Sequence, residues 1–318
     1  MKINAWLVAA CVLANTAFAQ DYPSRPIRIF QGFAPGGNAD NIARVLGAEM
    51  SKSLGQPMVV ETRAGAGGNL AADLVAKATP DGYSLLLAVG GHPVSGALYK
   101  SLPFRPVEDF DWISTATLFP FTISVRSEGG PKSIEELLRA ARAKPDAVTF
   151  GSAGIGTTQH LAGELLASVT GTKILHIPYK GDAAALTSLL GGEIVFVVAP
   201  PTAVLPHVKS GRLQAIAVTS GTRWQGMPDV PTATEAGATG FDVSSWAGLA
   251  TTAGTPRAVV MRLNADMHKA LQVPEVRSRL ESFGGEVRGS TPEEMRARVA
   301  SELARWSKVI REAKIEQQ

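Results

Sequence analysis

The chain has 318 residues, of which 45% are hydrophobic and 19% are charged, a composition that is ordinary for a folded soluble protein. Its net charge is only +3, and no cluster of lysine and arginine with interleaved aromatic residues is present, which argues against nucleic-acid binding. The length predicts about two domains rather than one small core.

The first residues are predicted to form an export signal. Lys2 supplies a positive charge, Ala5–Ala14 form a short apolar run, and Ala17–Ala19 place small residues at the positions that precede a signal-peptidase cut. The apolar run is too short to span a bilayer. The sequence therefore predicts a signal peptide over residues 1–19, cleavage after Ala19 and a periplasmic mature protein.

Cys11 is the only cysteine of the chain, and it falls inside the predicted signal. Val8–Cys11 loosely resembles a lipoprotein cleavage site, and this alternative stays open although the apolar run before Cys11 is very short. Once the signal is removed, no thiol is left for a disulfide, a thiolate metal site or a cysteine nucleophile.

Residues 20–121 are predicted to begin an α/β domain. Apolar runs over Ile27–Phe30, Met58–Glu61 and Ser84–Val89 indicate strands, and segments with helical spacing of apolar residues separate them. This β-α-β-α-β order is typical of a parallel sheet with helices on both faces.

Residues 122–244 are predicted to form a second α/β domain. Its strands are indicated at Val148–Phe150, Ile174–Pro178, Ile194–Val198 and Leu213–Val218. A further strand then returns to the first domain, followed by helices that open at Pro256 and at a Thr291 capping box. The first domain is thus predicted to be discontinuous and to be completed by residues 245–318.

The stretch Gly151–Leu161 joins a predicted strand to a predicted helix. A helix that starts after glycines leaves backbone N–H groups unpaired, and its dipole adds positive potential. These donors predict an anion site, and the lack of a lysine in the turn favours a carboxylate over a nucleoside triphosphate. A tight turn with a threonine cap and no ligand is the structural alternative, which these residues alone leave open.

A second turn of the same kind occupies Gln31–Asp40. It follows the strand Ile27–Phe30 and precedes a helix with Ile42, Val45 and Met50 on one face. The two glycine-rich helix starts are expected to face each other across a cleft.

Segments spread over the whole mature chain resemble the periplasmic substrate-binding receptors of tripartite tricarboxylate transporters, the Bug (Bordetella uptake gene) family. Each segment is weak alone, whereas all of them in this order are specific. The segments are Tyr22–Arg28, Pro35–Asp40, Leu54–Pro57, Gly65–Gly68, Pro80–Tyr83, Gly151–Leu161, His176–Gly181, Pro228–Thr232 and Ala253–Pro256.

The resemblance implies a two-domain periplasmic binding protein clamshell of the type II kind, with the ligand cleft between lobes and two hinge crossovers. It implies a small organic acid as ligand, a mono- or dicarboxylate with an aromatic body as one option, and membrane transporter subunits as partners. Phe33 is expected either as an apolar lid or as a core side chain. The ligand-binding residues expected from the resemblance and the turns are Phe33, Ala34, Gly36, Gly37, Ser152, Gly154, Ile155, Gly156, Thr157, Thr158, Tyr179, Asp182 and Ala199.

The chain departs from the family where many relatives carry aspartates. Val195 and Ala199 occupy two of those positions, and Pro200 and Pro201 follow. The loss of an acid at Ala199 removes a candidate partner for a ligand amine. The hypothesis from sequence is therefore a carboxylate ligand without a cationic amine.

Two other functions are alternatives to a transport receptor. A periplasmic enzyme is disfavoured because Gly154-Ile155-Gly156 is an incomplete dinucleotide fingerprint, Gly151–Gly154 is not a nucleophile elbow, and the histidines lack metal-site spacing. His160 lies one turn into the helix that follows the Gly151–Leu161 turn, and it is expected to orient neighbouring groups rather than to act as a base. No cofactor and no metal are expected. A ligand-sensing partner of a membrane signalling protein would use the same residues, so the sequence leaves that alternative open.

Overall fold

The structure, a computed structural model, describes residues 22–318. The predicted signal peptide, its cleavage site and Cys11 lie outside the described residues. Two mixed β-sheets with helices packed on their faces form two lobes. This arrangement confirms the predicted fold class. Within residues 22–318, no helix combines the length and the apolar character needed to cross a bilayer.

The first lobe is built on a six-stranded sheet with the order β11-β4-β10-β3-β1-β2. β1 pairs in parallel with β2 and β3, whereas β10 pairs antiparallel with β3 and β4. The strand β3 is a continuous apolar run with a buried centre because helices cover both faces. These strands are β1 Ile27–Gln31, β2 Met58–Thr62, β3 Ser84–Val89, β4 Phe110–Pro120, β10 Ser244–Thr252 and β11 Glu286–Val287.

The second lobe contains a five-stranded sheet with the order β7-β6-β8-β5-β9. β6 pairs in parallel with β7 and β8, and β5 pairs antiparallel with β8 and β9. These strands are β5 Thr122–Arg126, β6 Thr149–Ser152, β7 Leu175–Pro178, β8 Phe196–Ala199 and β9 Leu213–Val218.

The helices lie on the faces of the sheets and bury their apolar stripes. Helices α1 to α3 and α8 to α10 belong to the first lobe, and α4 to α7 belong to the second. Helices α3 and α9 were not anticipated from the sequence. The helices are α1 Asn38–Leu54, α2 Asn69–Ala76, α3 Gly91–Leu98, α4 Ile134–Ala143, α5 Thr158–Thr170, α6 Asp182–Gly191, α7 Pro201–Lys209, α8 Arg257–Gln272, α9 Pro274–Ser282 and α10 Pro292–Glu312.

The chain crosses between the lobes twice, and Thr219 ties the two crossovers together. The backbone N–H of Phe121 donates to Thr219 Oγ1 over 2.9 Å, and Thr219 Oγ1 donates to the carbonyl of Val243 over 2.6 Å. Thr219 is fully buried. The chain passes from the first sheet to the second between Pro120 and Thr122, and it returns to the first sheet before Ser244. The domain limits at 121 and 245 stay a prediction.

Candidate functional site

A cavity of about 430 Å³ lies between the two lobes. The first lobe contributes the turn before α1 and residues near the ends of β3, β4 and β10. The second lobe contributes the first turns of α5, α6 and α7. Its walls are largely apolar, with Phe33, Val89, Phe119, Phe121, Leu186, Leu190, Pro200 and Ala203 among the lining residues.

Helix N-termini point their first turns at this cavity from both lobes. The first residues of three helices line the cavity. They are Asn38 and Ala39 of α1, Thr158 and Gln159 of α5, and Asp182 of α6. Gly37 and Gly181, the N-caps of α1 and α6, provide no side-chain acceptor for these N–H groups. Backbone donors and aligned peptide dipoles therefore give the cavity a positive potential.

A buried polar cluster fixes the turn before α1. Gln31 Nε2 donates a hydrogen bond to the carbonyl of Phe33 over 2.9 Å, and Gln31 Oε1 accepts one from the Phe33 N–H over 2.8 Å. Asp40 accepts a hydrogen bond of 3.0 Å from the Gly36 N–H. It also accepts two hydrogen bonds from the Arg44 guanidinium, one on each carboxylate oxygen. Burial raises the pKa of Asp40, but the bonds from Arg44 and Gly36 outweigh burial and hold that pKa below its usual value.

The turn before α5 is fixed by Thr157. Its hydroxyl donates to the carbonyl of Gly154 over 2.7 Å and accepts the N–H of His160 over 3.3 Å, which makes Thr157 the N-cap. Thr158 also lines the cavity, and its buried Oγ1 has no hydrogen-bond partner among the residues that the structure describes. Since buried hydroxyls are normally paired, Thr158 is suited to a ligand contact.

Asp182 and His207 are the titratable side chains among the described residues that line the cavity, and no lysine or arginine lines it. Asp182 is half-buried, and burial raises its pKa to about 6 against the opposing effect of a 3.2 Å bond from Gln159 Nε2. Burial, followed by the charge of Arg212, lowers the pKa of His207. Among the described residues, an anion in this cavity would thus meet no lysine or arginine side chain.

The cavity brings together only part of the predicted site. Phe33, Ala34, Gly36, Gly37, Thr157, Thr158 and Asp182 line it. Phe33 also packs against the core, and its role as an apolar lid on a ligand stays a prediction. Lining residues that sequence reasoning missed include Asn38, Phe119, Phe121, Gln159, Thr187, His207 and Ser245, some of which follow strand ends or open helices.

The remaining predicted residues lie behind the cavity lining. Ser152 Oγ pairs with His176 Nε2 over 2.7 Å, and the Gly156 carbonyl accepts from Ser95 Oγ over 3.2 Å. Tyr179 directs its hydroxyl to Ser188 Oγ at 2.5 Å, and Ala199 is buried in β8 beside Thr122. Direct ligand contact stays a prediction for the predicted residues that are not in the cavity lining, which are Ser152, Gly154, Ile155, Gly156, Tyr179 and Ala199.

Two histidines that are distant in the sequence meet behind the α5 turn. His160 and His176 stack with ring centroids 4.2 Å apart and planes 27° apart, and Glu164 completes a group whose ligand atoms lie within 4.8 Å of one another. The in-plane lone pairs of stacked rings do not converge on a single ion, and Ser152 already engages His176. This geometry favours packing over metal coordination.

Two lobes that enclose a cavity lined by helix N-termini define the periplasmic binding protein class, and solved structures support this assignment. Rpa4515 of R. palustris, solved with adipate, has a TM-score of 0.89 and 32% identity, covering 93% of this chain and 99% of that chain. MatC of Rhodopseudomonas palustris, solved with bound malate, has a TM-score of 0.86 and 34% identity, covering 91% and 100%.

The chain belongs to the tripartite tricarboxylate transporter receptor family. The model of that family, TctC, matches residues 42–315. Protein BugT of Bordetella pertussis is 36% identical over 307 residues, which cover 96% of this chain and 94% of BugT. These matches confirm the resemblance drawn from the sequence motifs. The members of this family are solute-binding receptors rather than enzymes.

Proposed function

We propose that this protein captures a small organic carboxylate between its two lobes in the periplasm and delivers it to a tripartite tricarboxylate-type membrane transporter. It binds the acid without changing it chemically. The observation that carries the proposal is the convergence of helix N-termini from both lobes on one cavity whose described lining contains no lysine or arginine. Family membership and the carboxylates named for Rpa4515 and MatC support it.

The ligand carboxylate accepts hydrogen bonds from the backbone at Asn38 and Ala39 and from Thr158. Each hydrogen bond to a charged group contributes about 1.5–3 kcal/mol, and a helix terminus contributes about 0.3–2 kcal/mol. Three or four such contributions, less the cost of ordering the ligand and the lobes, approach the roughly 8 kcal/mol of micromolar binding.

The apolar walls hold the body of the ligand. Phe119 and Phe121 flank the crossover between the lobes, with ring centroids 5.7 Å apart, and both line the cavity. Apolar surface of this kind suits an aliphatic or aromatic chain. In the second lobe, Ala199 supplies no acid for a ligand amine. Asp182 is the acidic side chain among the described residues that line the cavity, and it lies at positive helix N-termini, which disfavour a cation. We therefore propose a carboxylate without a cationic amine.

Proline at the first position of a helix tests the role of the backbone donors. Asn38→Pro and Thr158→Pro each delete one N–H at a position where helices tolerate proline. Thr158→Pro also removes the Thr158 hydroxyl, and Thr158→Val, which removes the hydroxyl alone, separates the two contributions. We expect each variant to weaken binding of the best carboxylate by about tenfold or more, because one charge-assisted bond is lost. A thermal-shift screen of mono-, di- and tricarboxylates identifies that carboxylate, and calorimetry measures its affinity.

Arg257→Pro is the matched control, since Arg257 opens α8 away from the cavity. It should leave the affinity unchanged. Equal affinities in all three variants and the parent would contradict capture by the helix N-termini. Uptake and transcription measured after deletion of the gene separate delivery to a transporter from ligand sensing.

A further inference from the structure

Asp182 places a protein carboxyl inside a cavity whose other features attract anions. It is the first residue of α6, and its Oδ1 accepts one hydrogen bond, from Gln159 Nε2 at 3.2 Å. This is the one hydrogen bond of its side chain among the residues that the structure describes. Among residues 22–318, no lysine or arginine lines the cavity, so none is placed to pair with Asp182.

Closure of the lobes around a ligand would leave this carboxyl short of donors. In the open cleft, water supplies the missing hydrogen bonds. When the ligand displaces that water, each acceptor that loses its partner costs free energy. The ligand itself is the group in position to restore a donor.

We propose that Asp182 is a specificity-determining residue that selects carboxylates carrying a hydroxyl group, whose O–H donates to the Asp182 carboxylate in the closed cavity. This inference rests on the proposed function and adds a second recognition point to it. The ligand carboxylate is held at the N-termini of α1 and α5, and its hydroxyl is held by Asp182 at the start of α6.

The surroundings of Asp182 favour a hydroxyl over charged groups. A ligand ammonium beside Asp182 would lie against the positive N-termini of α5 and α6, which repel a cation. A second ligand carboxylate at the same place would face the like charge of Asp182. A neutral O–H group satisfies the carboxylate without either penalty.

Matched ligands that differ at one position test this inference. One series is succinate, L-malate and L-aspartate, and the other is 3-phenylpropionate, 3-phenyllactate and phenylalanine. Each series presents hydrogen, hydroxyl and ammonium on a constant carbon skeleton. Calorimetry at about pH 8 keeps Asp182 ionised, since burial raises its pKa to about 6. In at least one series, we expect the hydroxy acid to bind about tenfold or more tightly than the unsubstituted acid and the amino acid.

Variants assign the preference to Asp182. Asp182→Ala should bring the ratio of hydroxy acid to unsubstituted acid close to one, whereas Asp182→Asn, which keeps a carbonyl acceptor, should retain part of it. Glu135→Ala removes a first-turn acid from α4, outside the cavity, and should keep the full preference. Thermal unfolding of each variant verifies its fold.

The outcomes separate the inference from the proposed function. A ratio near one in both series of the parent protein, tightest binding of an amino acid, or a preference that survives in Asp182→Ala would overturn the inference while carboxylate capture stands. If the parent binds no carboxylate in the screen, the proposed function fails, and the inference fails with it.

Discussion

At the scale of single residues, the half-buried carboxyl of Asp182 lowers the stability of the folded protein. Burial raises the pKa of Asp182 to about 6, so the folded protein holds a proton there that the unfolded chain releases at lower pH. Stability is therefore highest below the unfolded pKa and falls as the pH rises towards 6. Above that range, the ionised carboxylate destabilises the folded state in full.

Asp182→Asn removes this penalty. We expect the variant to be more stable than the parent by about 1–3 kcal/mol at neutral pH, with the difference vanishing near pH 4, because one pKa unit corresponds to about 1.4 kcal/mol. Urea unfolding followed at several pH values measures the difference. Glu135→Gln is the control, because it removes an acid from the first turn of another helix and so gives the stability change caused by that loss alone. A difference that does not change with pH would contradict the pKa shift.

At the scale of elements, Thr157 joins the local stability of α5 to the shape of the cavity. Its hydroxyl caps the helix and holds the Gly154 carbonyl. Thr157→Ala should lower the free energy of unfolding by about 0.5–2 kcal/mol and should also weaken carboxylate binding, because the turn that presents Thr158 is released.

Thr157→Ser and Ser133→Ala are the controls for this prediction. Thr157→Ser keeps the capping oxygen and should restore both properties. Ser133 caps α4 outside the cavity, so Ser133→Ala should reduce stability alone. Denaturant unfolding and calorimetry give the two quantities. Full ligand affinity in Thr157→Ala would show that the cap does not shape the site.

Elements were predictable where their signals are local. The apolar run of β3 and the Thr291 capping box of α10 both appear in the structure as the sequence indicated. The membership of the cavity was less predictable, since it depends on the order of strands in two sheets and on how the lobes face each other. His207 and Ser245 reach the cavity only through that arrangement. Asp182 was expected from family resemblance, and its half-buried state required the structure.

At the scale of the whole molecule, Thr219 links both crossovers, and we expect the chain to bend at this point when the lobes close. Thr219→Val keeps the shape of the side chain but leaves the buried N–H of Phe121 and carbonyl of Val243 without Oγ1. We expect a loss of about 1–3 kcal/mol of stability and a changed balance of open and closed forms. Small-angle scattering with and without a bound carboxylate measures that balance.

Thr252→Val is the matched control for the hinge. Thr252 is also buried, in the first lobe, and its hydroxyl donates to the Val75 carbonyl over 2.8 Å, away from the crossovers. It should reduce stability without altering the scattering curves. Identical scattering from both variants would show that Thr219 is structural and does not set the hinge.

In the proposed site, main-chain amides at the helix starts hold the charge of the ligand, and substitutions other than proline leave those amides in place. The walls, in contrast, are made of side chains such as Phe33, Phe121 and Leu186. During evolution, the residues of the cavity walls can therefore be substituted one at a time, and the protein can come to bind new organic acids. Each evolutionary intermediate would still bind an anion. The ligand specificity of such receptors can then change without an evolutionary intermediate that has lost anion binding.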